Sequence, residues 1–393
     1  LYITSVFTGE LLHVFWNDSQ RRGPATPVVA APTWRFENVA LQAGIDFVHG
    51  AFANGLSMDP QAAMSGGLCW LDYARDGWMD LYLVNSHSLD ERDHWNRNGG
   101  LPANRLLRNT GGVFVDVTED TSTGLAGRGH GCVTADFNAD GWTDIYVTAD
   151  GSNSLLINES GGSFYSDQAT PPAAEWSSSA AVGDLNGDGL PDLVVGSYID
   201  LDRKIEKPSG AFPQDYLGLA NHLFVNTSVG GKLSFTEVTA EAGLVEEERT
   251  LGAVMSDFDD DGDLDLYFTN DGQPNRLHHN VTEVPGAIPK FVDISVAAGV
   301  ADSGSGMGIA VGDWTGDATV DLLVTNWDRE LNAIFQNLGG NEGELLFRQS
   351  TFRIGLAGLG NNQTGWGTAL EDFDNDGDTD MLIAVSYTHL RAH

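Results

Sequence analysis

The chain repeats one acidic nine-residue motif six times, and this repetition limits the possible fold more than any other feature of the sequence. Each copy has Asp at positions 1, 5 and 9, and five of the six copies have Gly at position 6. A motif that recurs every 48 to 73 residues indicates a chain built from equivalent structural units. The copies, called here the first to the sixth loop, are residues 72–80, 136–144, 184–192, 257–265, 313–321 and 372–380.

The segments that flank each loop predict β-hairpins. Small apolar residues precede a loop, as in 179–183, and β-branched or aromatic residues follow it, as in 145–148. A third apolar segment that begins and ends with Asn follows in five repeats, and a fourth, such as 114–118, follows in most. Four antiparallel strands per repeat are typical of a propeller blade. We therefore expect an all-β chain, a β-propeller of six or seven four-stranded blades over residues 34–385.

The loops present oxygen atoms at a regular spacing, and oxygen is the ligand that Ca²⁺ prefers. Side-chain oxygens at positions 1, 3, 5 and 9 and a backbone carbonyl at position 7 suit a cation that takes six to eight oxygen ligands. No His or Cys lies within a loop, which argues against zinc or copper. Four loops have the complete set and are predicted strong Ca²⁺ sites, with position-7 carbonyls from Trp142, Leu190, Asp263 and Asp378: Asp136, Asn138, Asp140 and Asp144; Asp184, Asn186, Asp188 and Asp192; Asp257, Asp259, Asp261 and Asp265; Asp372, Asp374, Asp376 and Asp380.

Two loops depart from this pattern. Ala74 removes the position-3 ligand of the first loop, and Thr315 and Ala318 replace the position-3 ligand and the position-6 Gly of the fifth. We therefore expect two weak or empty sites, formed by Asp72, Asp76 and Asp80 and by Asp313, Asp317 and Asp321.

Two other interpretations of the loops fit the sequence less well. Asp and Gly favour turns that bind no metal, but six copies in the same strand context disfavour this interpretation. EF-hand and dockerin loops share positions 1, 3, 5 and 6, but an EF-hand needs flanking helices and a Glu at position 12. Position 12 is apolar in every loop: Leu83, Val147, Val195, Phe268, Val324 and Ile383.

The charge and the cysteines limit the partners and the disulfide content. The chain has 56 acidic and 20 basic residues and a formal net charge of −36, which repels nucleic acid and anionic membrane surfaces. We expect no nucleic-acid binding and no strong membrane binding by the propeller. Cys69 lies three residues before Asp72, and Cys132 lies four residues before Asp136. Because strand side chains alternate, this offset predicts opposite faces and two buried free thiols.

The two ends differ from the repeats. Residues 1–33 consist of an apolar segment and a polar linker, which we interpret as the remnant of a signal peptide or membrane anchor. Residues 386–393 match no repeat, and we interpret them as a non-native tail after a truncated propeller. Residues 36–39 have the fourth-strand pattern without a preceding hairpin, so we expect them to pair with C-terminal strands and close the propeller.

The strand–loop–strand units resemble the FG-GAP/VCBS repeats of integrin α-chain propellers. The segments 36–40, 43–49 and 66–72 (FENVA, AGIDFVH and GGLCWLD) are similar to the cartilage acidic protein (ASPIC/UnbV) family. The resemblance covers residues 34–385. It implies a calcium-binding and usually extracellular propeller, but no particular ligand. The ASPIC/UnbV module that the resemblance leads us to expect after the propeller is missing, which agrees with truncation.

The sequence contains no recognisable catalytic motif. The ten His residues are scattered, and a carboxylate engaged by Ca²⁺ is held ionised and is a poor general acid. We predict a secreted, periplasmic or cell-surface module for protein interaction or adhesion, with an extracellular protein or glycan as partner. The alternatives are a carbohydrate-binding propeller, in which exposed Trp95, Trp176 and Trp327 stack on sugars, and a polysaccharide-active lyase or hydrolase. The long insertions 85–104 and 199–221 are predicted rim loops that determine specificity.

Overall fold

The structure is a computed structural model that describes residues 11–15, 36–52, 59–167, 171, 175–339, 345–358 and 363–386. Within these ranges, no helix is long and apolar enough to cross a lipid bilayer. The strands, in chain order, are β1 Leu11–Phe15, β2 Leu68–Leu71, β3 Asp80–Leu83, β4 Arg105–Asn109, β5 Phe114–Asp116, β6 Gly129–Ala135, β7 Asp144–Ala149, β8 Ser154–Glu159, β9 Ser163–Ser166, β10 Ser177–Gly183, β11 Asp192–Ser197, β12 Ile199–Lys204, β13 Tyr216–Ala220, β14 His222–Asn226, β15 Phe235–Glu237, β16 Glu247–Glu248, β17 Thr250–Ser256, β18 Asp265–Asn270, β19 Arg276–Asn280, β20 Phe291–Asp293, β21 Gly306–Gly312, β22 Asp321–Asn326, β23 Ala333–Asn337, β24 Phe347–Gln349, β25 Thr364–Glu371 and β26 Asp380–Ser386.

The helices are short and lie between strands. Three of them, α3 to α5, directly follow a fourth strand and end at a residue with left-handed backbone, which turns the chain toward the next repeat. The α-helices are α1 Pro60–Ala63, α2 Arg92–Arg97, α3 Thr118–Thr121, α4 Thr239–Ala242 and α5 Ser295–Ala298, and the 3₁₀ helices are Gly50–Phe52, Leu89–Glu91 and Leu356–Gly358.

The chain divides into two compact units. One comprises residues 40–255 and 280–292, and the other comprises 1–39, 256–279 and 293–393. The first unit contains three four-stranded antiparallel sheets, β2-β3-β4-β5, β6-β7-β8-β9 and β10-β11-β14-β15, named the first, second and third sheets after their loops. The second unit contains the fifth sheet, β21-β22-β23-β24, the three-stranded sheet β1-β26-β25 and the antiparallel pair β18-β19. The prediction of an all-β chain with four-stranded antiparallel repeats is confirmed.

The hydrophobic core of the first unit lies between neighbouring sheets. In the second sheet, Ile145 and Val147 pack with Tyr82 of the first sheet. The alternate residue Tyr146 packs on the opposite face, with Leu193 of the third sheet. Because both faces of the middle strands are covered, β7 and β11 are buried along nearly their whole length, as their unbroken apolar runs require.

Cys69 and Cys132 form a disulfide bond, so the prediction of two free thiols is wrong. Their Cα atoms lie 5.9 Å apart, within the range of disulfide-bonded pairs. Cys69 lies on β2 and Cys132 on β6, the first strands of neighbouring sheets. The first sheet packs through the face that carries Tyr82, and the second packs against it through the face opposite to that of the equivalent residue, Tyr146. The predicted opposite orientation of the two side chains therefore brings the sulfur atoms together.

The predicted closing strand at residues 36–39 is also wrong, because these residues have no strand structure. Instead, β1 pairs with β26, with Leu12 opposite Ala384. Phe36 packs edge-on against Phe373, with the ring centroids 6.0 Å apart. Strand β1 forms five residue pairs with β26, whereas residues 36–39 are only four residues before the turn at 40–44. The other residues of 1–33, and 387–393 of the predicted tail, lie outside the described ranges.

The insertion 199–221 forms strands and not the predicted loop. Strands β12 and β13 form a three-stranded sheet with β16. Trp176, Tyr198, Ile199 and Leu219 form the core beneath it. Trp176 is only 3% exposed, so it cannot stack on a sugar as the carbohydrate interpretation required. The other insertion, 85–104, contains α2 and a 3₁₀ turn, and Trp95 in it donates its Nε1 proton to the Gly50 carbonyl at 3.2 Å.

Candidate metal-binding loops

All six loops fold into the same compact turn, which is held by hydrogen bonds from backbone N–H groups to Asp side chains. In the second loop, Asp136 accepts from the amides of Asp140 at 3.0 Å and Gly141 at 2.7 Å. Asp140 in turn accepts from the amide of Trp142 at 2.9 Å. The other five loops have the equivalent bonds. The conserved spacing within the repeats therefore encodes one turn geometry.

Position 6 of every loop has a left-handed backbone, which explains the recurring Gly. Gly141 has φ 90° in the second loop, and the fifth loop has Ala318 at this position with φ 67°. A left-handed conformation costs an L-residue about 1–2 kcal/mol more than Gly. The fifth loop thus keeps the turn at the expense of backbone strain, consistent with its predicted weakness.

The position-9 Asp is buried and supports the turn from inside. Asp144 is 0% exposed. Its Oδ2 accepts from the Phe137 amide at 3.0 Å, and its Oδ1 accepts from the Asn158 amide at 2.8 Å. The first, third and fifth loops have both bonds as well. This residue, predicted only as a metal ligand, therefore also connects the loop to the third strand of its sheet.

Burial changes the acidity of these position-9 carboxyls. It raises the pKa of Asp144 and Asp192 to about 7, and that of Asp80 and Asp321 to about 6. The negative charges at positions 1 and 5 act in the same direction, while the amide hydrogen bonds oppose it. A cation in the loop would favour the ionised carboxylate, so binding of a metal ion here would release protons.

In four repeats, the Asn that ends the third strand connects consecutive loops. Asn158 Nδ2 donates to the carbonyl of Thr143 in its own loop at 3.1 Å and to that of Tyr73 in the preceding loop at 3.0 Å. Asn226 repeats the arrangement with the carbonyls of Pro191 and Phe137. Asn337 does so with those of Val320 and Phe258, and Asn280 donates to that of Leu185. A well-ordered loop therefore helps to position the next sheet.

Two loops bring potential metal ligands close together. In the sixth loop, carboxylate oxygens of Asp372, Asp374 and Asp380 lie within 4.8 Å of one another. In the fourth loop, Asp259 and Asp261 converge within the same distance together with His279. Each of these two groups could hold a metal ion.

The second and third loops have the same turn with Asn at position 3. Asn138 Oδ1 accepts from the amide of Asp140, and its Nδ2 donates to the Asp140 carboxylate, each at 3.0 Å. Asn186 makes both bonds with Asp188, at 3.0 and 3.2 Å. The position-5 Asp is exposed in every loop, which leaves an entry path for a cation.

An arginine side chain reaches the first loop. Arg108 on β4 donates from Nη2 to Asp76 Oδ2 at 2.8 Å. This bond lowers the pKa of the Asp76 carboxyl below its usual value. The departure at Ala74 and the nearby guanidinium group both disfavour a metal ion at this loop.

A histidine enters the fourth loop, contrary to the prediction that no nitrogen ligand is present. His279 on β19 lies with Nδ1 3.1 Å from Asp265 Oδ1. His279 and Arg108 occupy the same repeat position, directly before the third-strand Asn, where the second and third repeats have Ile157 and Val225. Both residues lie outside the nine loop positions, and the signal for them in the sequence is the variation of this one position across the repeats.

A family model describing an FG-GAP-like repeat matches residues 72–147, 136–195 and 257–324, which include the first five loops. The chain contains FG-GAP-like repeats. It is also homologous, at low identity, to cartilage acidic protein 1. The Mus musculus protein is 23% identical over 220 residues, which are 54% of this chain and 31% of that protein. The Homo sapiens protein is 23% identical over 220 residues, 54% of this chain and 30% of that protein. The matched region thus spans less than a third of the length of these relatives.

Among solved structures, an Agrocybe aegerita lectin described as recognising non-reducing terminal N-acetylglucosamine is similar with a TM-score of 0.45 and 16% identity, over 82% of this chain and 71% of the lectin. The V. cholerae biofilm matrix protein Bap1 has a TM-score of 0.38 and 15% identity, over 74% of this chain and 39% of that protein.

Proposed function

We propose that the FG-GAP-like repeats form the blades of a calcium-binding propeller that acts as an extracellular module for protein interaction. The sixth loop carries the calcium part of the proposal, because Asp372, Asp374 and Asp380 direct carboxylate oxygens to within 4.8 Å of one another. Such an arrangement of negative charges is unfavourable without a cation. Oxygen-only donors suit Ca²⁺, and the shared turn extends the proposal to the second and third loops.

Calcium in these loops would stabilise the packing between sheets as well as each turn. The position-1 and position-5 Asp residues hold the backbone of the loop, and the third-strand Asn transmits its position to the neighbouring sheet. In the first unit, Asn226 Nδ2 makes such a contact with the Phe137 carbonyl at 2.8 Å. A metal ion that orders 136–144 would therefore also favour the packing of the third sheet on the second.

Two observations support an extracytoplasmic location. The Cys69–Cys132 disulfide is typical of oxidising compartments. The homology to cartilage acidic protein 1, an acidic protein named for cartilage, points in the same direction. We therefore assign the chain to secreted, periplasmic or cell-surface proteins within this proposal.

The inserted three-stranded sheet offers a surface for a protein partner. Phe212 is 42% exposed in the connection between β12 and β13, and Ile205 in the same connection is 37% exposed. Asp215 fixes this turn, because its carboxylate accepts from the amides of Ser209 and Ala211. An exposed aromatic residue on a rigid turn is well suited to anchor a protein interface.

Thermal unfolding in EGTA, in Ca²⁺ and in Mg²⁺ tests the proposal that the loops bind calcium. A single site filled at a hundred times its Kd adds about 2.7 kcal/mol to the free energy of unfolding. We expect millimolar Ca²⁺ to raise the Tm substantially and Mg²⁺ to raise it weakly, because Mg²⁺ requires a stricter octahedral shell. A Tm that is the same in EGTA and in Ca²⁺ would show that the loops are turns without metal.

Arrays of extracellular-matrix proteins and of glycans, each probed in Ca²⁺ and in EGTA, test the interaction part. We expect binding to protein spots that EGTA abolishes and that Phe212→Ala weakens. Val229→Ala is the control, because Val229 is 81% exposed at another turn. Binding to glycans alone would favour the carbohydrate-binding alternative, and release of reducing ends from a bound glycan would favour the enzyme.

A further inference from the structure

Among the described residues, the fourth loop differs from the second and third loops in its donor atoms. His279, on the neighbouring strand β19, brings an imidazole to the loop, and its Nδ1 lies 3.1 Å from Asp265 Oδ1 and 3.7 Å from Asp259 Oδ2. The second and third repeats have Ile157 and Val225 at the same position, and neither side chain can bind a metal.

Asp259 provides an independent indication that a ligand belongs in this loop. Its side chain is only 8% exposed, and its Oδ1 has no hydrogen-bond partner among the described residues. A buried carboxylate oxygen without a partner costs free energy, and a metal ion would remove that cost. His279 does not supply a hydrogen bond to this Oδ1 atom, because the nearest approach of its Nδ1 is to Asp259 Oδ2, at 3.7 Å.

We propose that the fourth loop binds a first-row transition-metal ion, with Zn²⁺ as the representative, through Asp259, Asp261 and His279. One ligand atom from each of these residues lies within 4.8 Å of the other two. An imidazole nitrogen with carboxylate oxygens is a donor set that Zn²⁺, Co²⁺ and Ni²⁺ favour and that Ca²⁺ does not. Asp261 is exposed, which gives the ion a path from solvent.

The first loop shows what the same position does when it holds a cationic side chain. Arg108 makes a 2.8 Å bond to Asp76, and its own charge takes the place of an ion. His279 is a neutral imidazole when it binds a metal, so it adds a ligand without adding a positive charge. This inference does not depend on calcium binding by the other loops. The fourth loop would discriminate between cations even if the other loops bound no metal ion.

Equilibrium dialysis of the purified full chain with Zn²⁺, in the presence of excess Ca²⁺, tests the proposal. His279→Val is the main variant, because it introduces the residue that the third repeat has there. His279→Gln is the second, because the fifth repeat has Gln336 there. His222→Val is the control. His222 lies on β14 in another repeat, and its Nδ1 lies 2.9 Å from Glu237 Oε1.

We expect the parent protein and His222→Val to bind one more Zn²⁺ per chain than His279→Val and His279→Gln. Co²⁺ bound to the parent should show visible absorption bands that indicate nitrogen ligation. Both His279 variants should lose these bands. The Ca²⁺-induced rise in Tm from the second, third and sixth loops should persist in all variants. Equal Zn²⁺ stoichiometry in the four proteins, or no Zn²⁺ bound to the parent, would overturn the proposal and leave His279 as an internal ion-pair partner of the loop carboxylates.

Discussion

Arg108 Nη2 lies 2.8 Å from Asp76 Oδ2, which places a guanidinium group in the one loop of the six whose position-3 residue has no polar side chain. The side chains of both residues are partly exposed, at 42% and 30%, so the pair itself contributes at most about 1 kcal/mol to stability. Its importance lies in the charge it brings to the loop. An arginine beside Asp76 reduces the repulsion among Asp72, Asp76 and Asp80 without any metal ion.

The first prediction compares the same position in two loops. Asp140→Ala should reduce the Ca²⁺-induced rise in Tm, because it removes an oxygen from a loop that has a complete set. Asp76→Ala should leave that rise nearly unchanged, because the first loop already lacks a ligand at Ala74. Differential scanning calorimetry of both variants in EGTA and in Ca²⁺ measures the effect. Equal losses in the two variants would contradict the assignment of strong and weak loops.

The second prediction converts the first loop into a complete one. Ala74→Asn combined with Arg108→Ile introduces the residues that the second repeat has at the same positions, Asn138 and Ile157. We expect the double variant to bind one more Ca²⁺ per chain than the parent, as measured by isothermal titration calorimetry.

The single variant Ala74→Asn is the matched control for this conversion. It restores the ligand but keeps the guanidinium group, so it should gain little affinity. If Ala74→Asn alone gained the full site, Arg108 would have no role in excluding the ion.

The third prediction concerns the Asn residues that connect neighbouring loops. Asn226→Asp replaces the Nδ2 amino group, which donates both hydrogen bonds, by one oxygen that faces the carbonyls of Phe137 and Pro191, 2.8 and 3.2 Å from Nδ2 in the parent. Leaving buried carbonyls without donors should lower the free energy of unfolding by about 1–3 kcal/mol. Urea denaturation measures the change. Asn98→Asp is the control, because Asn98 is exposed and its Nδ2 donates to the His94 carbonyl one turn earlier. A loss for Asn226→Asp no larger than for the control would contradict the bridging role.

Much of the fold could be predicted because the repeats carry strong local signals. The Asp-rich turns and the apolar runs around them predict the hairpins, and the structure pairs β6 with β7 and β10 with β11 around the second and third loops. The position-9 Asp and the third-strand Asn were recognised as recurring residues. Their hydrogen bonds could not be foreseen, because they join atoms from different strands and neighbouring sheets.

The errors also come from relationships between sheets. The alternation rule predicted the orientation of Cys69 and Cys132 within their strands, but it could not show that opposite faces of neighbouring sheets meet. The insertion 199–221 was predicted as a loop because of its length, although the alternating residues of β12 favour a strand. The approach of His279 to the fourth loop could not be predicted from the loop motif, because His279 lies on a separate strand, 14 residues beyond Asp265.

The fourth prediction tests the disulfide that joins β2 and β6. Replacing both Cys69 and Cys132 by Ala should lower the Tm, because the cross-link closes a loop of 63 residues and restricts the unfolded chain. A loss of about 2–4 kcal/mol is typical for such a bond. Reducing agent should lower the Tm of the parent by a similar amount and leave that of the double variant unchanged. A parent protein that is insensitive to reduction, and that gives two reactive thiols on unfolding without reductant, would contradict the bond.

The last prediction concerns two buried histidines in the first unit. His49 and His130 are each 5% exposed, and burial lowers the pKa of each from 6.5 to about 4. For His130, the nearby charge of Arg128 lowers the pKa further, while the Met64 carbonyl and Asp59 oppose the shift. Because the unfolded chain binds these protons near pH 6.5 and the folded chain only near pH 4, the free energy of unfolding should fall as the pH decreases between these values.

The measured quantity is the difference in the free energy of unfolding between the parent and His130→Gln. This difference is needed because the buried position-9 carboxyls, whose pKa is raised, titrate in an overlapping pH range and stabilise the folded chain as the pH decreases. Urea denaturation in saturating Ca²⁺ from pH 7.5 to pH 4 should show the parent losing stability relative to His130→Gln, by up to about 1.4 kcal/mol per pH unit below pH 6.5. Above pH 7 the difference should be constant. A difference between parent and His130→Gln that does not change with pH would show that His130 takes up its proton in the folded chain as readily as in the unfolded one.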